Sequence, residues 1–406
     1  MKKPELLAPA GNKTNLIAAI KNGADAVYFG VENLNMRAAA KNFTTEELPE
    51  LVVYCKEHGV DTHLTINTIV YENELDELDK ILSAAKKAGI DMVICWDLAV
   101  IQKVKEYGLP FCISTQASIS NSGSAKFYKE LGAKRIVLAR ECSLDQIIEI
   151  KKKVDIEIET FVHGAMCVAV SGRCFMSHEI FNRSANRGDC LQPCRREFKI
   201  YDTHNEADFL LGEDYVLSPK DLFALPFIDK LIDAGIDSFK IEGRKRSPEY
   251  ISKVIRSYRE AIDLHFEGKL TDDKKSEYEE ELLKVYNRGF SPGFYFNTQN
   301  EDQYAGTYGS KATTRKTYAG KVINYFKQSS IAHVKLEASG VSIDDELYII
   351  GNATGIIELK LKDLFVNDVK ADFSSKGDEI TFPVPGKVRP GDKLYKVVYS
   401  EGSDEK

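Results

Sequence analysis

Four cysteines, Cys167, Cys174, Cys190 and Cys194, fall within 28 residues and are separated by six, fifteen and three residues. A thiolate is a soft donor, so four thiols gathered in one stretch of a reduced protein point first to a metal or cluster site, or to redox chemistry. The chain opens MKKPELLAPAGN and carries no apolar run of membrane-spanning length, which predicts a cytoplasmic protein with no membrane partner, where disulfides are disfavoured. The spacing lacks the paired C-x2-C knuckles of most four-thiolate zinc ribbons, so zinc is the weaker alternative. It also lacks the C-x3-C-x2-C triplet of radical S-adenosylmethionine enzymes. Four thiolates are what a [4Fe-4S] cluster needs, and such a cluster accepts irregular spacing when a loop folds around it. Gly164, Gly172 and Gly188 and the charges around them argue against simple burial of these thiols. Cys55, Cys95 and Cys112 read instead as apolar core residues, and Cys142 as a spare ligand or nucleophile just past a strand.

With 55 basic and 62 acidic residues, the formal net charge of −7 argues against a protein that coats nucleic acid through bulk charge. A local basic face is compatible with it. Arg183, Arg187, Arg195, Arg196 and Lys199 crowd the cysteine segment, and Lys240, Arg244, Lys245, Arg246, Lys253, Arg256 and Arg259 crowd a later one. Charge alone favours reading these as solvated helix faces.

The elements that must position these groups follow one grammar. NGADAVYFG, AGIDMVICWD, LGAKRIVLAR and AGIDSFKIEGR each end a helix on glycine and begin an apolar strand. Such all-apolar strands are covered on both faces, as in a parallel sheet. Eight strands are predicted: Leu6 to Pro9, Ala26 to Val31, Thr62 to Asn67, Met92 to Asp97, Phe111 to Gln116, Arg135 to Arg140, Ile156 to Val162 and Ser238 to Glu242. Helix starts are predicted at Thr44 with Glu47, at Ser143 with Gln146, and at Ser218-Pro219 and Ser247-Pro248. Eight strand–helix units favour an α/β fold of the (β/α)8, TIM-like barrel type over residues 1–310, with an open doubly wound sheet as the alternative. The interval of about 164–237, which holds the four cysteines, is too long for an ordinary loop and reads as an insertion on the C-terminal face, where barrel active sites are built. From Tyr318 the grammar changes to short alternating strands with Gly-Asp and Pro-Gly turns, so residues 311–406 are predicted to form a small antiparallel β-barrel. Tyr286 to Gly309 reads as the connector and Ser400 to Lys406 as a frayed tail.

The run ETFVHGAMCVAVSGRCFMS resembles the signature of the collagenase-like peptidase family, peptidase family U-thirty-two. Glu159, Phe161, Gly164, Ala165, Met166, Cys167, Gly172, Cys174, Met176 and Ser177 all match it. NRGDCLQPCR and KIEGRKRSPEY are similar to further motifs of the family, and the resemblance covers the whole chain. Despite its name, the family includes oxygen-independent hydroxylation proteins that act on tRNA, ribosomal RNA or ubiquinone. The resemblance implies a [4Fe-4S] cluster on Cys167, Cys174, Cys190 and Cys194 and dependence on prephenate as co-substrate. Chain length and the single C-terminal barrel look most like the tRNA branch, which forms 5-hydroxyuridine at the wobble position of the anticodon loop. Ubiquinone members take one ligand from elsewhere in the chain, whereas here Cys194 is the simplest fourth ligand.

The chain offers groups for such a reaction. Prephenate carries two carboxylates, and Arg37, Arg140 and Arg244 near strand ends are natural forks for them, with Arg187 and Lys240 as further cations for substrate. Asn67 is a hydrogen-bonding candidate for substrate, and Gln116, His163 and Glu242 are candidates for catalytic hydrogen bonding or proton transfer. Polar residues at strand ends as often satisfy only the backbone, so about half of them are expected to be structural. The arginines flanking Cys190 and Cys194, with Phe175, Phe181 and the small barrel, are the candidate contacts to an unstacked base and its phosphates. A peptidase is the competing reading, built on His163 or His178 with Cys167 or Cys174, although no HExxH motif or nucleophile elbow is present. A noncatalytic RNA-binding module is the third. The sequence leaves the oligomeric state open.

Overall fold

The computed structural model describes residues 2–37, 41–201, 210–212, 215–296 and 304–400. Eight parallel strands close into a ring: β1 (Glu5–Pro9), β2 (Ala26–Phe29), β3 (Asp61–Ile66), β4 (Met92–Cys95), β5 (Phe111–Ile113), β6 (Arg135–Val137), β7 (Glu157–Gly164) and β8 (Ser238–Ile241). β8 bonds to both β1 and β7, which is the closure that separates a barrel from an open sheet. β2, β4 and β8 are buried at every residue, because the ring covers one face and the helices the other. The glycine rule works as read: Gly89 ends the helix Leu75–Ala88 in the left-handed conformation (φ 79°), and its N–H bonds to Ala85 and Lys86.

Two of the predicted helix starts form as drawn and two differ. Ser143 and Gln146 make a reciprocal capping box on Leu144–Lys153, and Ser247-Pro248 opens the long helix Pro248–Phe266. Thr44 and Glu47 do pair, through Thr44 N–H to a Glu47 carboxylate oxygen at 2.8 Å, but the helix itself begins a turn later at Leu48. Ser218-Pro219 starts no helix. Its hydroxyl accepts from Arg195, and the chain runs on into the short strand Asp221–Phe223.

The predicted insertion leaves the barrel at the end of β7 and returns beside it. Asp221–Phe223 lies antiparallel to β7, with Leu222 opposite Gly164. Between them the chain forms the helix Met176–Phe181 and tight turns at Ala185–Arg187 and Pro193–Arg195. The insertion is pinned to the barrel: Thr68 Oγ1 donates to the Asn186 carbonyl at 2.9 Å, and Arg173 Nη2 to that of Gln116 at 2.7 Å. Gly188 (φ 80°) sits where a Cβ would lie 2.3 Å from the Asn35 carbonyl oxygen, so only glycine lets the two backbones approach.

The last quarter of the chain is antiparallel, as predicted. β9 (Thr314–Phe326), β10 (Ile331–Leu336), β11 (Glu346–Gly351), β12 (Gly355–Lys360), β13 (Glu379–Pro383) and β14 (Lys393–Tyr399), with two short strands at 365–366 and 369–370, form one eight-stranded sheet. It encloses its own core around Val322, Val334, Leu347, Phe382 and Leu394. Tyr348, Ile356 and Val397 pack instead against the main core, and Glu358 accepts from Ser252 at 2.7 Å, so the sheet is seated on the barrel's helices. The predicted tail beyond Ser400 and the middle of the predicted connector, 297–303, lie outside the described residues.

Candidate functional site

One deep cavity opens at the C-terminal end of the barrel, with about 1180 Å³ of empty space, part of it open to solvent. The barrel contributes Arg37, Asn67, Gln116, Arg140, Lys240, Glu242 and Arg244 to its wall. The insertion contributes all four clustered cysteines. Residues as far apart in sequence as Arg37 and Arg244 thus meet because consecutive strands end at one face, with the insertion folded over it.

The four thiols are unpaired and partly exposed, while Cys55, Cys95 and Cys112 are buried, as their apolar contexts predict; Cys142, read as a spare ligand or nucleophile, is buried too and does not line the cavity. Burial pushes the Cys194 thiol up, Arg195 opposes that shift, and Cys167, Cys190 and Cys174 each add to it, so the four thiols lie within electrostatic reach of one another. Among the described residues, one trio of His, Cys, Asp and Glu ligand atoms lies within 4.8 Å of one another, and it is Glu5, His63 and Glu159 rather than any three of these sulfurs. A single zinc ion bound at 2.3 Å would draw tetrahedral thiolates to about 3.8 Å apart. The wider spread and the all-thiol donor set among the described residues suit a polynuclear iron–sulfur cluster better.

Opposite the thiols stands a ring of cations around one carboxylate. Arg37 Nη2 reaches Glu242 Oε1 at 3.1 Å. Burial pushes the Glu242 carboxyl up, but Arg37, Arg246 and Arg140 outweigh it and hold the group at about 2. Burial also lowers Arg244, with repulsion from Arg37 adding, to about 10; its Nη1 donates to Asn35 Oδ1 at 3.1 Å and Thr65 Oγ1 at 2.9 Å. Arg140 lies flat over the Phe161 ring at 3.9 Å and donates Nη1 to the Ala165 carbonyl, while its buried Nε has no acceptor among the described residues. Arg37, Arg140 and Arg244 therefore converge on one space with unspent donor capacity.

Other assignments change. Lys240 lines the cavity but is spent: its ammonium pairs with Glu159 at 2.7 Å and sits over the Tyr28 ring at 4.5 Å, making it a wall of the site. Asn67 orders the rim, accepting from Met36 N–H at 3.1 Å and, through its carbonyl, from Trp96 Nε1 at 3.0 Å. Gln116 follows β5 on a 3-10 turn, its side chain on the cavity and its carbonyl holding Arg173. Arg187 does not line the cavity; it grips Glu74 and the Ile69 carbonyl and stacks on Tyr71, so its role is to anchor the insertion.

His163 is likewise outside the cavity. Alternation along β7 would place it inward with Glu159 and Phe161, but the pairing with β8 slips, so that Phe161 faces Lys240 and His163 faces Ile241. The extra residue turns His163 to the helix side, among Phe223, Tyr250, Tyr258 and Phe290. Burial, with Arg246 adding, lowers the imidazole to about 3, so it is neutral at physiological pH.

Arg195, read from sequence as an RNA-facing cation, is half-buried and lines the cavity, with its donors turned back to the chain. Its Nη1 donates to Ser218 Oγ at 3.1 Å and the Pro219 carbonyl at 2.8 Å, and its Nη2 to the Met166 carbonyl. Its place beside Cys194 in the turn Pro193–Arg195 was the signal available in the sequence. Of the predicted stacking residues, Phe175 is strongly exposed at the rim, with Val170, Ile180 and Leu191 near it in sequence and also exposed, while Phe181 lies under Arg196 at 4.6 Å.

A closed (β/α)8 barrel whose longest loop brings four free thiols over an arginine-lined mouth defines a class of barrel protein with a thiol-rich cavity. Residues 11–304 match Peptidase family U32, and the chain belongs to that family. It is 41% identical to a protein named collagenase from Porphyromonas gingivalis, over 97% of both chains. It is also 41% identical to tRNA hydroxylation protein P1 of Bacillus subtilis, over 80% of this chain and 78% of that one. The 23S rRNA 5-hydroxycytidine C2501 synthase of Escherichia coli is 36% identical over 73% of this chain and 46% of its own length. Among the described residues no helix is long and apolar enough to cross a membrane.

Proposed function

We propose that this chain is an RNA-modifying enzyme that hydroxylates tRNA uridine at C5, at the wobble position, without molecular oxygen, with prephenate as co-substrate and a [4Fe-4S] cluster on Cys167, Cys174, Cys190 and Cys194. The observation that carries the reading is that four thiols and three convergent arginines line one cavity. Relatives named for hydroxylation of tRNA and of ribosomal RNA support the substrate class. Hydroxylation replaces a C5–H bond by C5–OH, which with a water-level oxygen releases two protons and two electrons, so the reaction needs an oxygen donor and a two-electron acceptor, the roles open to the co-substrate prephenate. The cluster, when bound, supplies one-electron transfer.

The chain's own residues do the rest. Arg140 and Arg244 bind the two carboxylates of prephenate, the Arg140 Nε being the donor with no acceptor within the described chain. Glu242 is ionised throughout the physiological range and holds Arg37 in place; it accepts hydrogen bonds and does not act as an acid. Gln116 offers an amide to a base edge, and exposed Phe175 a stacking face beside the mouth.

The peptidase reading, which the collagenase-named relative favours, meets an obstacle in geometry. It needs an imidazole beside a thiol, yet His163 faces the helix layer and the exposed His178 is not among the cavity-lining residues.

The test is mass spectrometry of tRNA nucleosides from an anaerobically grown deletion strain, complemented with the wild type, Cys190→Ala or Arg140→Gln. Restoration of 5-hydroxyuridine derivatives by the wild type alone is expected. Unchanged nucleosides on deletion would overturn the tRNA assignment, and full rescue by Cys190→Ala would overturn the four-thiol site.

A further inference from the structure

Behind the thiols lies a buried charge arrangement that the proposed reaction does not by itself explain. Arg195 comes from the cysteine loop and Arg288 from the segment after the helix Asp272–Leu283. Arg288 and Asp221 are each about 2% exposed in their side chains, and Arg288 Nη2 pairs with Asp221 Oδ1. Arg288 Nε and Nη1 and Arg195 Nε are all buried without an acceptor among the described residues. The charge of Arg195 is felt by Arg288, Cys194, Asp221 and Cys167. Among the described residues Asp221 is paired with Arg288, so the anions left to face Arg195 beside it are the thiols Cys194 and Cys167, with which it lines the cavity.

An uncompensated buried cation is costly unless an anionic group completes the set. Four thiolates carrying an iron–sulfur cluster are such a group. Each one-electron reduction adds a negative charge to it, so a fixed cation stabilises the reduced state more than the oxidised one. The three donations from Arg195 to Met166, Ser218 and Pro219 fix that cation in place, and they tie the Cys167 and Cys194 segments to the base of the insertion.

We infer that Arg195 is a positioning residue that sets the reduction potential of the group held by the four cysteines, its half-buried, hydrogen-bonded guanidinium acting as the fixed countercharge for the reduced state. The inference rests on the cluster reading above. Arg195 has no acceptor capacity and is not offered as an acid or base; it acts through the thiolate-bound group.

The experiment is a dithionite redox titration of the full-length protein, reconstituted anaerobically with iron and sulfide and followed by electron paramagnetic resonance, for wild type, Arg195→Gln and Arg195→Lys. Arg195→Gln is expected to make one-electron reduction at least tenfold less favourable, a midpoint about 59 mV lower. Arg195→Lys, which keeps the charge, is expected to stay within tenfold of the wild type. A midpoint for Arg195→Gln equal to that of the wild type overturns the inference, as does a lysine variant shifted as far as the glutamine one. If Arg195→Gln takes up no iron, the lysine variant decides: normal iron with a shift under tenfold supports the countercharge, and iron loss or a larger shift overturns it. Failure of the wild type to bind iron and sulfide would instead overturn the cluster reading itself.

Discussion

Two layers of this barrel are both dense in buried charge, yet they are built on opposite principles. At the N-terminal end, inside the ring, Arg135 bonds Glu5 and Glu157, reaches Glu159 at 3.2 Å, and Lys240 takes the other Glu159 oxygen at 2.7 Å. Every carboxylate there has a cation, and His63 beside them is lowered to about 4, chiefly by burial. The Glu5, His63 and Glu159 trio could by spacing alone hold an ion, but Arg135 and Lys240 already occupy its carboxylates. At the C-terminal end Arg37, Arg140 and Arg244 share a single carboxylate, Glu242, and donors remain unspent. Charge balanced within the chain marks the layer that holds the barrel together; charge left unbalanced marks the layer that awaits a ligand.

The comparison breaks most readily at Arg135. Arg135→Met leaves Glu5 and Glu157 without their cation and Glu159 with Lys240 alone, and a loss of about 3–5 kcal/mol in urea unfolding is expected. A loss below about 1 kcal/mol would mean that the lower layer does not depend on its pairing.

Acid unfolding gives the next effect. Glu242 and Glu5 both fold with carboxyls at about 2, below the usual 4.5. A depressed carboxyl contributes stability that is fully present above its unfolded value and is lost as pH falls from about 4.5 toward 2. Glu242 contributes on the order of 2–3 kcal/mol to that limb. Stability measured across this window should fall less steeply in Glu242→Gln, with the Glu5 share of the slope remaining. His63 and His163 act earlier: held neutral when folded, they take up protons on unfolding, so stability declines as pH drops from 6.5 toward 4.

The smallest effect sharpens the boundary of the site. Arg187→Ala should cost about 1 kcal/mol by freeing Glu74 and loosening the insertion, seen as faster amide exchange over residues 185–188. A purified variant with normal exchange but weakened binding of the dicarboxylate would return Arg187 to the substrate face.

Much of this was legible in the sequence because it rests on local rules. Glycine-ended helices before apolar runs located four of the barrel strands, strand-like runs between them located the other four, and the count of eight predicted closure. The cysteines were legible because thiols have few other uses in such a loop. What was not legible depends on pairing across the fold. The alternation rule that assigns Glu159 and Phe161 inward fails two residues later, because β7 carries one residue more than β8 at that point, and His163 pays with its place in the cavity. Arg187 and Arg195 look alike in sequence; what separates them is that one meets Glu74 and the other the Met166 carbonyl. Ser218-Pro219 has the chemistry of a helix start, but Arg195 draws off its hydroxyl.

The pairing of Leu222 with Gly164 has a further consequence. Residues opposed across an antiparallel pair are about 5 Å apart, so the chain departs from and rejoins the barrel at almost one point. The whole cysteine loop is therefore a cassette with a shared doorway: a barrel of this kind can exchange it for a tight turn, or for a different loop, without re-registering a strand of the ring. The ring supplies a fixed socket of cations, and the reagent that faces them is decided by whichever cassette is plugged in.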